Sequence, residues 1–287
     1  MTVIRAGLIG AGIGQSRFAA ALDVMCRANG LELEFTAIDT SLRPEFDFAR
    51  TVDDLRAGLT GVTVTHPHKV QARDYAGASM HPEFRDLGAA NTLTFHPELA
   101  GHNTDFSGFL AAWQGVMSDR SPGHVAIAGA GGVSRAIAPA LLRLGATRLS
   151  IWDSVPEQAA ALAADLGANV TAVPFPDSPD VIRTADGLVN ATPLGMTGHP
   201  GSAFPKHLIG PQRWAFDAVY TPTDTAFLRA SCAKGLKTLT GFDLFRFMAI
   251  RSFVAYTGIF PDSESTLRSL DTLRPREIVE ESGGLTP

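Results

Sequence analysis

The stretch Val125-Ala-Ile-Ala-Gly-Ala-Gly-Gly-Val-Ser-Arg-Ala136 decides the fold. Residues 124–128 are a short apolar run, a length that suits a buried parallel strand. A glycine cluster follows at Gly129, Gly131 and Gly132. Residues 133–144 then carry a helical pattern that Gly145 closes. Strand, glycine turn and helix start, in that order, make a dinucleotide-phosphate site. Glycines let the backbone turn tightly and approach a pyrophosphate. Free N–H groups and the positive end of the helix then face the anion. Gly129, Ala130, Gly131, Gly132 and Val133 are therefore candidate cofactor-binding residues. The match to G-x-G-x-x-G is imperfect, since Ser134 stands at the third glycine and Ala136 supplies a small residue two places later.

Working outward, residues 148–153 read as a second strand ending in Asp153, 24 residues after Gly129. An acid at that point accepts hydrogen bonds from ribose hydroxyls. Ser154, Val155 and Pro156 follow, with no arginine to meet a 2′-phosphate, so the loop predicts NAD rather than NADP. A second glycine loop, Gly10-Ala-Gly-Ile-Gly14, follows a first strand at residues 4–9, and Asp39 ends a strand over 33–39. It resembles a nucleotide loop, but Gln15 holds the third-glycine position. Two complete dinucleotide sites do not fit so short a chain, so this loop is expected to be structural.

At 287 residues the chain allows one large or two ordinary domains, and 45% hydrophobic with 18% charged residues describes a well-packed globular protein. A net charge of −5 without a basic block points away from nucleic acid and anionic membranes. Cys26 and Cys232 form neither a metal spacing nor a disulfide framework and read as reduced thiols. The eight histidines lack metal-ligand spacing, and no metal is expected. No signal peptide, spanning segment or nucleophile elbow is evident, which predicts a cytoplasmic protein that is not a hydrolase.

The rest of the chain alternates strands and helices. Residues 17–29 read as a helix with Phe18, Ala21, Leu22 and Met25 on one face. Residues 48–58 read as a helix capped near Thr51. Residues 61–69 form a strand entering a proline turn that carries Thr65, His66 and Lys69. Ligands in open α/β sheets bind beyond such carboxyl ends. Residues 87–95 and 99–105 read as a hairpin-like pair, with Asn91 and Asp105 near its ends. Thr104 or Asp105 is expected to cap a helix over 106–117. The turn-rich residues 118–123 mark a domain boundary. Further strands are expected at 169–173, from 187, at 214–220 and at 237–239, and helices at 156–166, 225–234 and 241–258. Residues from about 274 onward read as a frayed tail.

These residues carry a resemblance. Gly7-Leu-Ile-Gly10, Val64-Thr-His-Pro-His-Lys69, Gly88-Ala-Ala-Asn-Thr92, Gly101-His-Asn-Thr-Asp105, Gly129-Ala-Gly-Gly132, Val189-Asn-Ala-Thr-Pro-Leu-Gly-Met196 and Asp217-Ala-Val-Tyr-Thr-Pro222 follow one another in the order of the shikimate/quinate dehydrogenase family. The chain resembles that family over nearly its whole length. The resemblance implies an α/β fold: an N-terminal α/β substrate domain, a Rossmann NAD-binding domain, and a C-terminal helix returning to the first domain. The expected divisions are residues 1–118, 119–242 and 243–287. It implies an NAD-dependent oxidoreductase acting on a ring alcohol, in aromatic amino acid biosynthesis or a related pathway. Lys69 and Asp105 match the family's catalytic pair. Ser16, Thr65, Asn91 and Tyr220 match substrate-binding positions, with Ser16 at the carboxylate. Asn190, Thr192 and Met196 match the loop along the nicotinamide, and Gly241 matches a glycine near its amide. The chemistry suits these types: a lysine moves the hydroxyl proton, a carboxylate orients it, and an asparagine offers a donor and an acceptor to a vicinal diol.

Two positions depart from the family pattern. Phe18 stands where a second hydroxyl residue is usual, and Met248 aligns with a glutamine that faces the substrate. Each reads either as core packing or as a changed substrate contact. Arg17 replacing the missing hydroxyl at the carboxylate, a differently substituted ring, and slow turnover are the competing explanations. The expected activity is NAD-dependent dehydrogenation of shikimate, quinate or a close cyclic hydroxy acid. An aminoshikimate dehydrogenase and a catalytically weak nucleotide-binding homologue are the alternatives. The expected partner is the small-molecule acid, and the sequence leaves a homodimer open.

Overall fold

The computed structural model describes residues 2–275. The first half runs β1 (Val3–Gly10), α1 (Phe18–Ala28), β2 (Glu32–Asp39), α2 (Phe48–Arg56), β3 (Gly61–Val64), α3 (Lys69–Ala76), β4 (Thr92–Thr94), β5 (Ala100–His102) and α4 (Thr104–Met117). The second runs β6 (His124–Ala128), α5 (Ser134–Arg143), β7 (Arg148–Trp152), α6 (Pro156–Leu166), β8 (Val170–Ala172), α7 (Ser178–Thr184), β9 (Gly187–Asn190), β10 (Trp214–Asp217), α8 (Ala226–Ala233) and β11 (Lys237–Thr240). Two further helices follow, α9 (Gly241–Thr257) and α10 (Ser263–Asp271).

The strands form two sheets. One has the order β2-β1-β3-β4-β5, parallel across β2, β1 and β3 and antiparallel through β4 and β5. The other, β11-β10-β9-β6-β7-β8, is wholly parallel. Its central strands are buried on both faces, as near-continuous runs such as residues 124–128 require. The order reverses between β6 and β9, and the carboxyl ends there form the crevice of a doubly wound sheet.

Helix α9 ties the two halves together. Its Phe242, Phe245, Ala249, Ile250, Phe253 and Tyr256 are buried with Ile4, Leu8, Leu22 and Met25 of the first sheet and α1. It leaves β11 through a capping box, with Thr240 accepting from the Asp243 N–H and Asp243 accepting from the Thr240 N–H. It crosses α4 so closely that a Cβ on Gly108 would lie 2.8 Å from the Met248 nitrogen and 2.9 Å from its Cα.

Several local expectations are corrected. Helix α4 begins at Thr104 and is capped by Asn103, whose side chain accepts from the Phe106 N–H, so Thr104 and Asp105 lie inside the first turn. Asp47, not Thr51, caps α2 through the Arg50 N–H. Lys69 opens a helix rather than sitting in a turn. The strand expected over 87–95 narrows to Thr92–Thr94, and that over 214–220 to Trp214–Asp217. Helices α7 and α10 add to the expected elements. Phe18 is 2% exposed and packs edge-on against Phe35, so it is a core residue. Beyond Pro275, the expected tail lies outside the described residues.

Replacing Gly108 by alanine tests the helix crossing. Helix propensity alone would stabilise by about 1 kcal/mol. The clash with α9 backbone reverses the sign, and we expect a net loss of about 1–3 kcal/mol in urea unfolding. A gain in stability would mean that α4 and α9 can separate freely.

Candidate active site

Lys69 and Asp105 meet at the base of the crevice. The Lys69 ammonium donates to Asp105 Oδ2 at 2.6 Å, and the two side chains are 11% and 9% exposed. Each starts from a helix first turn, on α3 and α4, so both are held by backbone that cannot shift independently. The stem of Lys69 lies against Gly132, where an added Cβ would sit 3.4 Å from the lysine Cδ. The lysine thus touches the glycine loop of the second sheet.

Asn91 is 1% exposed and lies just before β4. Its Oδ1 accepts from the Thr104 N–H at 2.7 Å and the Thr104 hydroxyl at 3.0 Å. The Thr104 hydroxyl is in turn 3.0 Å from Ser252 Oγ on α9. With the oxygen committed, the Asn91 Nδ2 has no partner among the described residues and is left as a donor. Thr104 and Ser252 were missed as functional positions. In the sequence Thr104 reads as a cap, and Ser252 gives no signal within a long apolar helix. Met248 is half-buried beside them, with Ser252 Oγ 3.7 Å from its sulfur.

Thr65 is half-buried at the end of β3, packed over Gly10. The loop after β1 is pinned to the same turn by the Ala11 N–H donating to the His66 carbonyl at 2.9 Å. Ser16 and Arg17 follow that loop, half-buried. Tyr220 stacks flat on Phe245 with centroids 5.4 Å apart. Burial raises the Tyr220 phenol, while Arg17 and the Ser16 side chain beside it pull the other way. His66 is exposed, and its ring is pushed toward the neutral form by desolvation, then by Lys69 and His68. His68 is bound to Thr40 and Gln71 and packs on Phe46 and Phe48, away from the pair.

The two glycine loops differ in how their N–H groups are used. In the first, Ala11 donates to His66 while Gly12 and Ile13 donate to the Asp39 carboxylate at 2.9 and 3.1 Å. The N–H groups that open that loop are thus spent within the fold, which suits a structural turn. In the second, only Ala130 donates to an acid, Asp153 Oδ2, at 2.7 Å. The N–H groups of Gly131, Gly132 and Val133 have no acceptor among the described residues. An added Cβ on Gly131 would meet nothing within 4 Å. Three free donors ahead of α5 around an open cradle suit a phosphate. Gly129 has φ +98°, and a side chain there would strike the Ala191 carbonyl.

Beyond β9 the loop is built by Asn190 and Asp217. Both Asn190 amide donations are made, to the Leu194 carbonyl and Asp217 Oδ1, each at 2.9 Å. Its Oδ1 accepts from the Thr192 N–H and hydroxyl. Asn190 is fully buried and saturated, so it shapes the loop that presents Thr192 and the exposed Met196. Asp217 also accepts from the Val219 N–H at 3.0 Å and the Thr225 hydroxyl at 2.6 Å. Gly241 lies under the Ala218 and Val219 carbonyls with no room for a side chain. Among the described residues no acidic, histidine or cysteine cluster could hold a metal, and no helix is long and apolar enough to cross a membrane.

A buried Lys–Asp pair against a phosphate-type loop, between a mixed sheet and a doubly wound parallel sheet, defines a nucleotide-dependent oxidoreductase acting on CH–OH groups. A model of the shikimate dehydrogenase substrate binding domain matches residues 8–93. The shikimate dehydrogenase (NADP(+)) of Streptomyces avermitilis is 38% identical over 93% of this chain and 94% of that protein. The quinate/shikimate dehydrogenase (NAD(+)) of Corynebacterium efficiens is 35% identical over 90% and 94%. The structure of quinate dehydrogenase from Corynebacterium glutamicum in complex with NAD superposes with a TM-score of 0.87 at 33% identity, covering 95% of this chain and all of that one. The chain belongs to the shikimate/quinate dehydrogenase family.

The Asp217 knot carries a pH signature. Burial pushes its carboxyl from 3.8 up to about 6, against the opposing hydrogen bonds from Thr225, Val219 and Asn190. A raised acid favours the folded state when protonated, so its contribution is full below pH 4 and is lost as pH rises to 6. The loss is on the order of 3 kcal/mol. Urea midpoints from pH 4 to 7 should therefore fall for the native protein relative to Asp217→Asn. Parallel curves would show that Asp217 ionises freely in the fold.

Proposed function

We propose that the enzyme interconverts a ring secondary alcohol and its ketone on shikimate, quinate or a close cyclic hydroxy acid, with NAD as the preferred cofactor. The observation that carries this reading is the Lys69–Asp105 pair, buried at 2.6 Å and packed against Gly132. When bound, a nicotinamide cofactor supplies the hydride acceptor. Lys69, as the neutral amine, takes the hydroxyl proton on oxidation and becomes the ammonium paired with Asp105; as that ammonium it gives the proton to the carbonyl oxygen on reduction. Asp105 orients the ammonium and accepts from the neighbouring substrate hydroxyl. Asn91, its oxygen tied to Thr104, donates from Nδ2 to the same diol. Thr65, Ser16 and Tyr220 hold the remainder of the acid, and Met248 lines its apolar side.

The free N–H groups of Gly131, Gly132 and Val133 would hold the pyrophosphate, with Gly129 and Ala130 completing the turn. Asp153 would accept from the ribose hydroxyls. Thr192 and Met196, on the loop that Asn190 shapes, and the close turn at Gly241 would border the nicotinamide. The preference for NAD is supported by the Asp153 carboxylate at the loop and by Ser154, Val155 and Pro156 after it, which offer a 2′-phosphate no cation. This reading gives residues 1–118 to the substrate and catalysis, 119–242 to the cofactor, and the helix that opens the 243–287 segment back to the first unit.

Lys69→Ala should lower kcat by about 100- to 10,000-fold while leaving NAD affinity by calorimetry nearly unchanged. An undiminished kcat would remove Lys69 from the proton path. Asp153→Ala should cut kcat/KM for NAD by about 10- to 100-fold and narrow the gap to NADP. A native enzyme that uses NADP with the higher kcat/KM would overturn the cofactor assignment.

A further inference from the structure

Arg135 is the second residue of α5, just after the glycine loop, and its side chain is 19% exposed. Its own N–H donates to the Gly131 carbonyl at 3.2 Å, so its backbone belongs to the turn whose free N–H groups suit a phosphate. Its side chain leaves that turn for the first half of the chain and lies against Gly88. A Cβ added to Gly88 would sit 2.9 Å from Nη1 and 3.7 Å from Cδ of Arg135, so glycine is what admits the guanidinium there. The exposed Asp165, 3.3 Å from the same Nη1, steadies it only weakly. Gly88 opens a short segment that carries much of the site. The Ala89 carbonyl accepts from Nδ2 of Asn103, the cap of the helix that holds Asp105, at 2.8 Å. The Ala90 N–H donates to the Lys69 carbonyl at 2.9 Å, and Asn91 follows. A side chain from the cofactor turn therefore bears on the backbone that joins Lys69, Asn91 and Asp105. The Lys69 stem on Gly132 is a second contact between the same two parts.

We propose that Arg135 is a positioning residue: through Gly88 it couples the glycine loop to the Lys69, Asn91 and Asp105 set, so that dinucleotide and ring acid each tighten the binding of the other. The proposal rests on the dehydrogenase reading above and assigns the coupling of its two ligands to one contact. A phosphate held by the N–H groups of Gly131, Gly132 and Val133 fixes the turn from which Arg135 starts. The planar guanidinium then keeps one place over the Gly88 backbone, and the segment behind it holds Lys69 and Asn91 in register. Such coupling is reciprocal: the factor by which the dinucleotide raises affinity for the acid is the factor by which the acid raises affinity for the dinucleotide. Arg135 acts through Gly88 and not on the reacting hydroxyl.

The test measures, by calorimetry on the full-length protein, the Kd of shikimate alone and with a saturating reduced dinucleotide, whichever of NADH and NADPH binds the tighter. Both ligands are then in the reduced form, so no hydride moves during the titration. The ratio of the two Kd values is the coupling factor, expected at about 5- to 150-fold in the native protein. Arg135→Ala should lower the factor to about 2-fold or less, while the Kd of each ligand alone stays within about 2-fold of native. Gly88→Ala, which displaces the guanidinium, should lower the factor as well, and Arg135→Lys should recover part of it. Thermal melts of all three variants check the fold. A native factor near 1 overturns the role of Arg135, as does a factor that Arg135→Ala or Gly88→Ala leaves at the native value; the dehydrogenase reading then still stands on turnover of shikimate. Binding of both ligands without turnover overturns the dehydrogenase reading, and the coupling factor still decides Arg135. Failure to bind either ligand overturns both.

Discussion

The contact between the Lys69 ammonium and the Asp105 carboxylate, 2.6 Å long and mostly out of water, is the constraint on which the rest of the site depends. Taking both charges out of water is expensive, and their attraction offsets that cost only if the geometry is held. Removing one partner of such a pair costs about 3–5 kcal/mol, because the other charge stays buried. The protein holds the geometry with helix first turns. Lys69 opens α3 and Asp105 lies in the first turn of α4, whose cap Asn103 also donates to the Ala89 carbonyl. The pair, the Asn91 segment and the α4 start therefore move as one body.

Helix α9 extends that rigidity across the molecule. It leaves the parallel sheet at Gly241 and buries its aromatic face on the first sheet and α1. On the way, Ser252 reaches Thr104, which fixes the Asn91 amide, while Phe245 stacks on Tyr220. One helix thus orients a substrate donor and a substrate-facing ring together. The Asn190–Asp217–Thr225 knot does the same for the loop beyond β9. In the first place the Asn91 oxygen is committed, which leaves its Nδ2 as the donor; in the second the Asn190 amide is saturated and shapes the loop that carries Thr192.

The two glycine loops show why local pattern is not enough. Each follows a strand and each has an acid at the end of the next strand. The difference lies in N–H accounting: Asp39 and His66 consume three donors of the first loop, whereas the second leaves three without an acceptor. Spacing could suggest this, through Gln15 at the third-glycine position, but only the paired strands bring Asp39 onto Gly12. The capping error at α4 has a similar cause. Asn103, Thr104 and Asp105 are all competent caps. Asn103 was chosen because its side chain also satisfies the buried Ala89 carbonyl, a partner distant in sequence.

Sequence alone determined the alternation of strands and helices and the phosphate-type loop, which depend on apolar period and on turn chemistry within short segments. Lys69, Asn91 and Asp105 were singled out by the resemblance that seven short motifs carry in order, not by any local pattern. Tertiary structure decided that Phe18 is core. It also decided that Ser252 orients Asn91 through Thr104 and that Lys69 lies on the glycine loop. Each of these is a contact between residues far apart in the chain. Burial and hydrogen-bond satisfaction, which no local pattern encodes, select among the side chains that could have made it.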